Sequence, residues 1–224
     1  MLTKVKIRND FRSPNFADDI IPAEFVVIHY TGCSLSKTLE IFTNEKSRVC
    51  AHFVIDEVGV CFDLGNFLSG PIRKGAHAGR SYLKSGGLRV ESFNDFSVGI
   101  ELVNLNGNLF DYPDAQYESL AELLSVLQKR FVTLKNSNRI VGHEHIAFWR
   151  GKSDPGIRFD WNNLFLKLKM SPSDLHEFHA ASASDIDFLK AKINEQGMNE
   201  KNSEFWPALS TQLETRIANR EKSP

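Results

Sequence analysis

A continuous run of β-branched and aromatic residues, EFVVIHY at positions 24–30, constrains the fold more than any other stretch of this sequence. Such an unbroken apolar run indicates a strand that is covered on both faces, as in a sheet flanked by helices. The run ends before Thr31 and Gly32, so His29 stands at the carboxyl end of the predicted strand. We therefore expect a covered sheet with a histidine at one of its strand ends.

Strands and helices alternate along the first three quarters of the chain. We predict a hairpin at 51–64, strands at 96–104 and 139–146, and helices at 36–46, 114–131 and 159–170. Positions 65–94 are rich in Gly, Ser and Lys, which indicates a long loop. This order predicts an α/β fold with a central mixed β-sheet flanked by helices.

The last quarter of the sequence has a different character. Beyond about residue 170 it consists of polar segments with helical patterns and without strand signals. We therefore predict a main domain at 1–170 and a helical C-terminal extension at 171–224. His176 and His179 are interpreted as surface residues of that extension.

Composition excludes several classes of protein. The 27 Lys and Arg residues balance 28 acidic ones, so no overall field favours nucleic acid or an anionic membrane surface. No apolar run reaches the roughly eighteen residues of a membrane span, and the start lacks the pattern of a signal peptide. We expect a cytoplasmic protein without nucleic-acid partners or membrane insertion. Its three cysteines, an odd number without C-x-x-C spacing, are expected to be buried free thiols.

Three residues with metal-binding side chains lie next to predicted strand ends or turns: His29, His143 and Asp154. Two imidazoles and one carboxylate leave the fourth tetrahedral position open, which is the stoichiometry of a hydrolytic zinc site. Any one histidine can instead be an ordinary hydrogen-bonded residue. His145 offers an alternative third ligand, because residues two apart on a strand face the same side.

The sequence resembles the zinc-dependent N-acetylmuramoyl-L-alanine amidases of the type 2 family, which also includes phage T7 lysozyme and peptidoglycan recognition proteins. The resemblance covers about residues 20–168 and rests on five motifs in the family's order: VVIHYTG, AHFVIDEVGVCFDL, HAGRS, NDFSVGIELVN and GHEHIAFWRGKSDPGIRFDW. It implies one zinc ion held by His29, His143 and Asp154. It also implies hydrolysis, by zinc-bound water, of the amide between the lactyl group of N-acetylmuramic acid and L-alanine in peptidoglycan or muropeptides.

Two further residues are candidates for catalysis. Glu101 is a lone carboxylate in an apolar strand, where burial can raise its pKa and suit it to moving protons. The alternative is a salt bridge to a buried Lys or Arg, but the similarity of SVGIE to the family's S-x-G-I-E motif favours catalysis. Lys152 is the candidate for stabilising the oxyanion. Its alternative is a solvated loop lysine, with Arg150 nearby.

His77 and Asn94 are the candidate substrate-binding residues. His77 lies within KGAHAGRS on the predicted loop, and Asn94 precedes the strand that carries Glu101. The ordinary alternatives are an exposed histidine and a turn-capping asparagine. His52 is interpreted as a packing residue.

The sequence departs from the family pattern in two places. HIAFWRGK, at 145–152, has His145 where the family has an acid, lacks the usual proline and is one residue longer. Ser92 stands where bacterial recycling members often have an arginine, a role that Arg80 or Arg89 can take over. A preference for anhydro-muropeptides therefore does not follow from the sequence.

Two rival functions remain. One is a peptidoglycan-binding or regulatory module that has kept the fold without turnover; loss of a zinc ligand would favour it, and all three ligands are present. The other is a phage-type enzyme that is released to the intact cell wall. Substrate size and cell compartment separate it from a recycling enzyme.

Overall fold

The computed structural model describes residues 5–85, 88–196 and 204–222. Its strands are β1 (Ile7–Arg8), β2 (Phe25–Tyr30), β3 (Phe53–Ile55), β4 (Cys61–Asp63), β5 (Tyr82–Ser85), β6 (Leu88–Glu91), β7 (Ser97–Leu102) and β8 (Ile140–Gly142). Within the described residues, six of these form one sheet in the order β1-β4-β3-β7-β2-β8. Only β3 and β4 pair antiparallel there, so the sheet is mixed, as predicted.

The helices are α1 (Leu35–Thr43), α2 (Asp114–Arg130), α3 (His143–Ala147), α4 (Trp161–Leu168), α5 (Ala183–Gln196) and α6 (Phe205–Arg220). The helices predicted at 36–46, 114–131 and 159–170 are thereby confirmed, as is the helical character of the extension.

The two faces of β2 contact different cores. Val26 and Ile28 pack in a large core with apolar residues of α1, α2 and α4. Phe25 and Val27 pack in a smaller core that includes Ile146 of α3. Because successive side chains of a strand point to opposite faces, this alternation shows that β2 is covered on both sides. The prediction from EFVVIHY is therefore confirmed.

The segment predicted as a loop at 65–94 contains a hairpin. β5 and β6 pair antiparallel with Leu83 opposite Val90, and Leu83 is buried in the smaller core. The loop prediction was wrong for these two strands, because the Gly-Ser-Lys composition hid a short alternation of apolar and polar residues. Gly86 and Gly87, between the strands, lie outside the described residues.

The strand predicted at 139–146 ends earlier than expected. β8 stops at Gly142, and α3 begins at His143. The Nδ1 atom of His145 accepts a hydrogen bond from the backbone N–H of Gly142 at 3.0 Å, which satisfies a free donor at the start of the helix. His143 and His145 therefore lie on a helix, where residues two apart do not share a face.

The extension packs against the main domain through a third apolar cluster. Trp206, Leu209, Leu213 and Ile217 of α6 are buried in it, and Phe110 and Phe148 of the main domain lie against them. The division at residue 170 stays a prediction. Among the described residues, no helix combines the length and apolarity needed to cross a membrane.

His176 corrects a prediction, because it is buried rather than on the surface. Its ring lies 4.6 Å from the rings of both Trp161 and Phe165, measured between centroids. Its Nε2 donates to the carbonyl oxygen of Ile140 at 2.8 Å. His179 is half-buried and pairs with the buried carboxylate of Glu144 at 3.2 Å. Both histidines thus attach the extension to the β8–α3 region.

A buried carboxylate holds α5 and α6 together. Asp185 is fully buried and pairs with Arg216 at 2.7 Å and Arg220 at 2.5 Å. Burial raises the pKa of this carboxyl, but hydrogen bonds from Ser182 and the two arginines lower it to about 2. The charged form is therefore favoured by folding.

We expect Asp185→Asn to lower the free energy of unfolding by about 2 kcal/mol near neutral pH, because two guanidinium groups lose their buried partner. The folded-state pKa lies below the ordinary value of 3.8, so this stabilisation is present above pH 3.8 and is lost as the pH falls towards 2. Thermal unfolding of both proteins at several pH values measures the difference. Asp187→Asn, an exposed position on the same helix, is the control; equal effects of the two variants would contradict this prediction.

Candidate active site

Three parallel strands bring the predicted site residues to one edge of the sheet. β2 pairs in parallel with both β7 and β8, so their carboxyl ends lie side by side. His29 is directly opposite Glu101 in the β2–β7 register, and His143 follows the last residue of β8. Asp154 is held nearby, because its carbonyl oxygen accepts from the backbone N–H of Glu144 at 2.8 Å.

The side chains of His29, His143 and Asp154 meet at one point. The Nδ1 atom of His29 lies 2.8 Å from Oδ2 of Asp154 and 3.2 Å from Nδ1 of His143. The Nδ1 atom of His143 lies 3.1 Å from the same carboxylate oxygen. Donor atoms around a tetrahedral metal ion with bonds of about 2.0 Å stand about 3.3 Å apart, close to these separations.

The tautomer of His143 follows from its other ring nitrogen. Nε2 of His143 lies 3.2 Å from the carbonyl oxygen of Ala78, which can only accept a hydrogen bond. The proton of the neutral ring is therefore on Nε2. The lone pair of Nδ1 points towards His29 and Asp154.

The tautomer of His29 follows through two further residues. Nε2 of His77 lies 3.4 Å from both the carbonyl oxygen and Oγ of Ser97, and that hydroxyl donates to Phe93. Both Ser97 atoms thus act as acceptors, so His77 carries its proton on Nε2 and accepts at Nδ1. Nε2 of His29 donates to that Nδ1 at 3.1 Å. The lone pair of His29 Nδ1 is then free to face His143 and Asp154.

Two imidazole lone pairs and a carboxylate oxygen therefore converge with no proton assigned between them. Acceptors at hydrogen-bond distance repel one another unless a cation lies between them. These three residues can accordingly hold a metal ion, and His145 is not part of the cluster.

A cavity of about 330 Å³ opens beside the three residues. Of the other predicted site residues, it is lined by Glu101, Lys152 and His77. Asn94 does not line it. The remaining wall is formed by residues 30–32, after β2, and by four residues of α6: Pro207, Ser210, Thr211 and Glu214.

Glu101 presents a carboxylate to the site without a partner. Its Oε2 atom is buried, and within the described part of the chain it has no hydrogen-bond partner and no Lys or Arg at ion-pair distance. Burial raises the pKa of Glu101 to about 7, against a smaller lowering by His29. A carboxyl group with a pKa near neutrality can both accept and donate a proton at physiological pH. The salt-bridge alternative for Glu101 is thus not formed among the described residues.

Lys152 lies in the cavity wall with a partner of its own. Its Nζ is 2.6 Å from Oε1 of Glu214 on α6. The neighbouring Arg150 donates instead to the carbonyl oxygens of Ala78 and Arg80, at 3.1 and 2.6 Å. Arg150 therefore binds the backbone of the loop that carries His77. Among the described residues that line the cavity, Lys152 is the one with a positively charged side chain.

The comparisons with known proteins agree with this geometry. The family described as N-acetylmuramoyl-L-alanine amidase matches residues 20–157, which contain all three candidate metal ligands. The chain belongs to this amidase family. The match ends before the C-terminal extension, so the α6 wall of the cavity lies outside the part that defines the family.

The chain resembles curated proteins and solved structures. It is 38% identical over 122 residues to the 1,6-anhydro-N-acetylmuramyl-L-alanine amidase AmpD of Haemophilus influenzae, and 37% identical over 114 residues to AmpD of Citrobacter freundii. These matches span 54% and 51% of this chain but only 60% and 54% of the relatives. A crystal structure of an AmpD derivative covers 75% of this chain and 96% of its own, with 29% identity and a TM-score of 0.58.

His77 and Asn94 are linked in the structure. The Oδ1 atom of Asn94 accepts from the backbone N–H groups of His77 at 3.2 Å and Ala78 at 2.8 Å. It thereby fixes the loop that supports both candidate ligand histidines. Contact of His77 or Asn94 with substrate stays a prediction. His52 is a packing residue, buried between Gly99 and Arg73 and hydrogen-bonded to the backbone of both.

Sequence reasoning missed two groups of residues at the site. Tyr30, Thr31 and Gly32 line the cavity, and their position directly after His29 was a usable signal. The α6 residues had no signal in the sequence, because the extension carries no motif and the match to the family model ends at residue 157. Ser97 was also missed, although it is the first residue of the segment that is similar to the S-x-G-I-E motif.

We expect His77→Leu to weaken the affinity for a divalent metal ion by about 10- to 100-fold, because His29 loses the acceptor that fixes its tautomer and ring orientation. Titration with Zn²⁺ in competition with a chromogenic chelator measures the change. Asn138→Leu changes an exposed residue away from the three ligands and should leave the affinity unchanged. An unaltered affinity in His77→Leu would show that the hydrogen bond from His29 to His77 does not support the site.

Proposed function

We propose that this chain is a zinc-dependent amidase that hydrolyses the bond between the lactyl group of N-acetylmuramic acid and L-alanine in peptidoglycan or muropeptides. One observation carries the proposal: the metal-binding atoms of His29, His143 and Asp154 converge beside the carboxylate of Glu101, whose buried oxygen has no partner among the described residues. Family membership supports it. The aligned part spans 60% and 54% of the two AmpD relatives.

One zinc ion per chain is the proposed cofactor, held by His29, His143 and Asp154. The donor set fits zinc, which favours imidazole nitrogen and carboxylate oxygen in sites with a fourth, open position. When bound, zinc would supply a water of lowered pKa and polarise the scissile carbonyl. Hydrogen bonds on the side away from the ion fix the tautomers of the two histidines. Ala78 accepts from His143, and His77, oriented by Ser97, accepts from His29.

Residues of the chain supply proton transfer, stabilisation of the oxyanion and part of the substrate cavity. Glu101 accepts the proton of the attacking water and delivers it to the leaving nitrogen of alanine, as its pKa of about 7 allows. Lys152 faces the cavity and stabilises the negative charge that develops on the carbonyl oxygen. Tyr30, Thr31 and Gly32 form the part of the cavity wall that follows His29, where the substrate would lie.

The rival function, a binding module without turnover, is less well supported. A module that only binds peptidoglycan has no use for a partly buried carboxylate without a partner, since removing such a group from water lowers stability. Glu101 keeps that arrangement beside an intact set of metal ligands. We therefore propose an enzyme.

Soluble muropeptides are the proposed substrates, because the aligned relatives are named for an anhydro-muramyl amide. We also propose that residues 1–170 form the catalytic domain, that residues 171–224 form an extension, and that the enzyme acts in the cytoplasm. Fractionation of the native host tests the compartment, and a phage-type enzyme would act on the intact wall instead.

Mass spectrometry of the products tests the activity. The zinc-loaded protein should release peptides that begin with L-alanine from anhydro-muropeptides, and a chelator should abolish the release. Intact sacculi in a parallel reaction distinguish a recycling enzyme from a wall-degrading one. Muropeptides left whole by protein with stoichiometric zinc would refute the proposal.

We expect Glu101→Gln to lower kcat by about 100-fold or more, because the amide cannot carry the proton. In the wild type, kcat/KM should fall on the acid side of an apparent pKa of about 7 or lower, because Glu101 must be ionised to accept a proton and a bound cation favours the ionised form. Steady-state rates over a pH series measure both effects. Glu57→Gln, on the exposed hairpin turn, is the control; a Glu101→Gln enzyme with the wild-type rate and profile would contradict the assignment.

A further inference from the structure

We propose that α6 is part of the active site and that Glu214 is a positioning residue for Lys152. This inference rests on the proposed function, because it concerns the lysine that faces the scissile bond. It goes beyond the family match, which ends at residue 157 and leaves Glu214 outside. The C-terminal extension is thereby assigned a role in turnover.

The ion pair between the two side chains lies in the cavity wall. Lys152 Nζ and Glu214 Oε1 are 2.6 Å apart, and both residues line the cavity beside the metal ligands. Their side chains are 24% and 33% exposed, so the pair is shielded from most of the solvent. Partial burial strengthens the attraction relative to an exposed pair.

The backbone that carries Glu214 is held firmly. Leu213 and Ile217, on either side of Glu214 in the sequence of α6, are fully buried. Arg216 and Arg220 pair with the buried Asp185 of α5. Glu214 therefore extends from a fixed helix, and its carboxylate can serve as a fixed reference point for a flexible partner.

The loop that carries Lys152 touches the same turn of α6. Gly151 has a φ of 90°, and a Cβ atom there would lie 1.9 Å from the carbonyl oxygen of Glu214. Only glycine allows this close approach of two backbones. The backbone contact and the ion pair thus join the loop and the helix at adjacent residues.

This contact accounts for the departure of the loop from the family pattern. The segment that is one residue longer and lacks the usual proline is HIAFWRGK, at 145–152. Phe148 packs in the apolar cluster of α6, and Gly151 lies against Glu214. The altered loop is therefore the surface that receives the extension.

The physical role of Glu214 follows from the properties of lysine. A lysine side chain has about 2 kcal/mol of rotamer entropy, so an unrestrained ammonium spends little time in any one position. Its nitrogen has three donors, of which Glu214 takes one. The other two remain for the carbonyl oxygen of the substrate, and the ammonium is already in place when charge develops.

Steady-state kinetics of four zinc-loaded proteins test the inference: wild type, Glu214→Gln, Lys152→Met and the double variant. We expect Glu214→Gln to lower kcat about tenfold with KM changed less than about twofold, because positioning acts on the transition state. In the Lys152→Met background the same substitution should have no further effect on kcat. Glu214→Asp, which keeps the charge, should recover part of the rate.

Glu195→Gln is the matched control. Glu195 pairs with Lys192 on α5, also at 2.6 Å, but lies outside the cavity. We expect its kcat to equal that of the wild type. Zinc content and melting temperature, measured on every variant, should show that Glu214→Gln binds one zinc ion and stays folded at the assay temperature.

Three results would overturn the inference. An unchanged kcat in Glu214→Gln would leave Glu214 without a role in turnover, and an increased kcat would show that it restrains Lys152 from acting. If Glu214→Gln lowered kcat equally in the wild-type and the Lys152→Met backgrounds, Glu214 would act on turnover by a route that does not involve Lys152. In all three cases the wild type still cleaves the substrate, whereas failure of the proposed function would appear as an inactive wild type.

Discussion

The convergence of three unprotonated donor atoms is the constraint on which the site depends. His29 and His143 can present lone pairs to Asp154 only because each ring donates from its far nitrogen, to His77 and to Ala78. Those acceptors in turn lie on a loop that Asn94 fixes. The orientation of the candidate ligands therefore depends on a hydrogen-bond network that runs from the two histidines to the loop and from the loop to the sheet.

The sheet, the principal helices and the converging set could be predicted from the sequence, because long apolar runs and regular spacing have few structural solutions. The hairpin within 65–94 could not, because a four-residue strand in a glycine-rich segment carries little pattern. The end of β8 was also misjudged: His143 continues an apolar run, and only the side chain of His145 bonding back to Gly142 starts the helix there. Local hydrogen bonds of this kind override periodicity.

The C-terminal extension shows why the rest of the site could not be predicted. Ordinary amphipathic spacing predicts that α5 and α6 are helices, but it does not say which surface they cover. That surface is chosen by long-range contacts: Phe148 with the α6 cluster, Gly151 with Glu214, and Glu144 with His179. All three partners in the main domain lie within eight positions of one another, so this short segment receives part of the extension, alongside Phe110 and the backbone of Ile140.

The same buried groups that suit the site to chemistry leave it incomplete without a cation. A partnerless carboxylate at Glu101 and three facing acceptors at His29, His143 and Asp154 each lower stability in a protein without metal. A bound cation removes that repulsion and favours the ionised form of Glu101, so the free energy of metal binding adds to the free energy of folding. The sheet holds these groups together against their repulsion. His29 and Glu101 lie opposite each other on the paired strands β2 and β7, which are packed in the core. Function at this edge therefore depends on the stability of the apolar core beneath it.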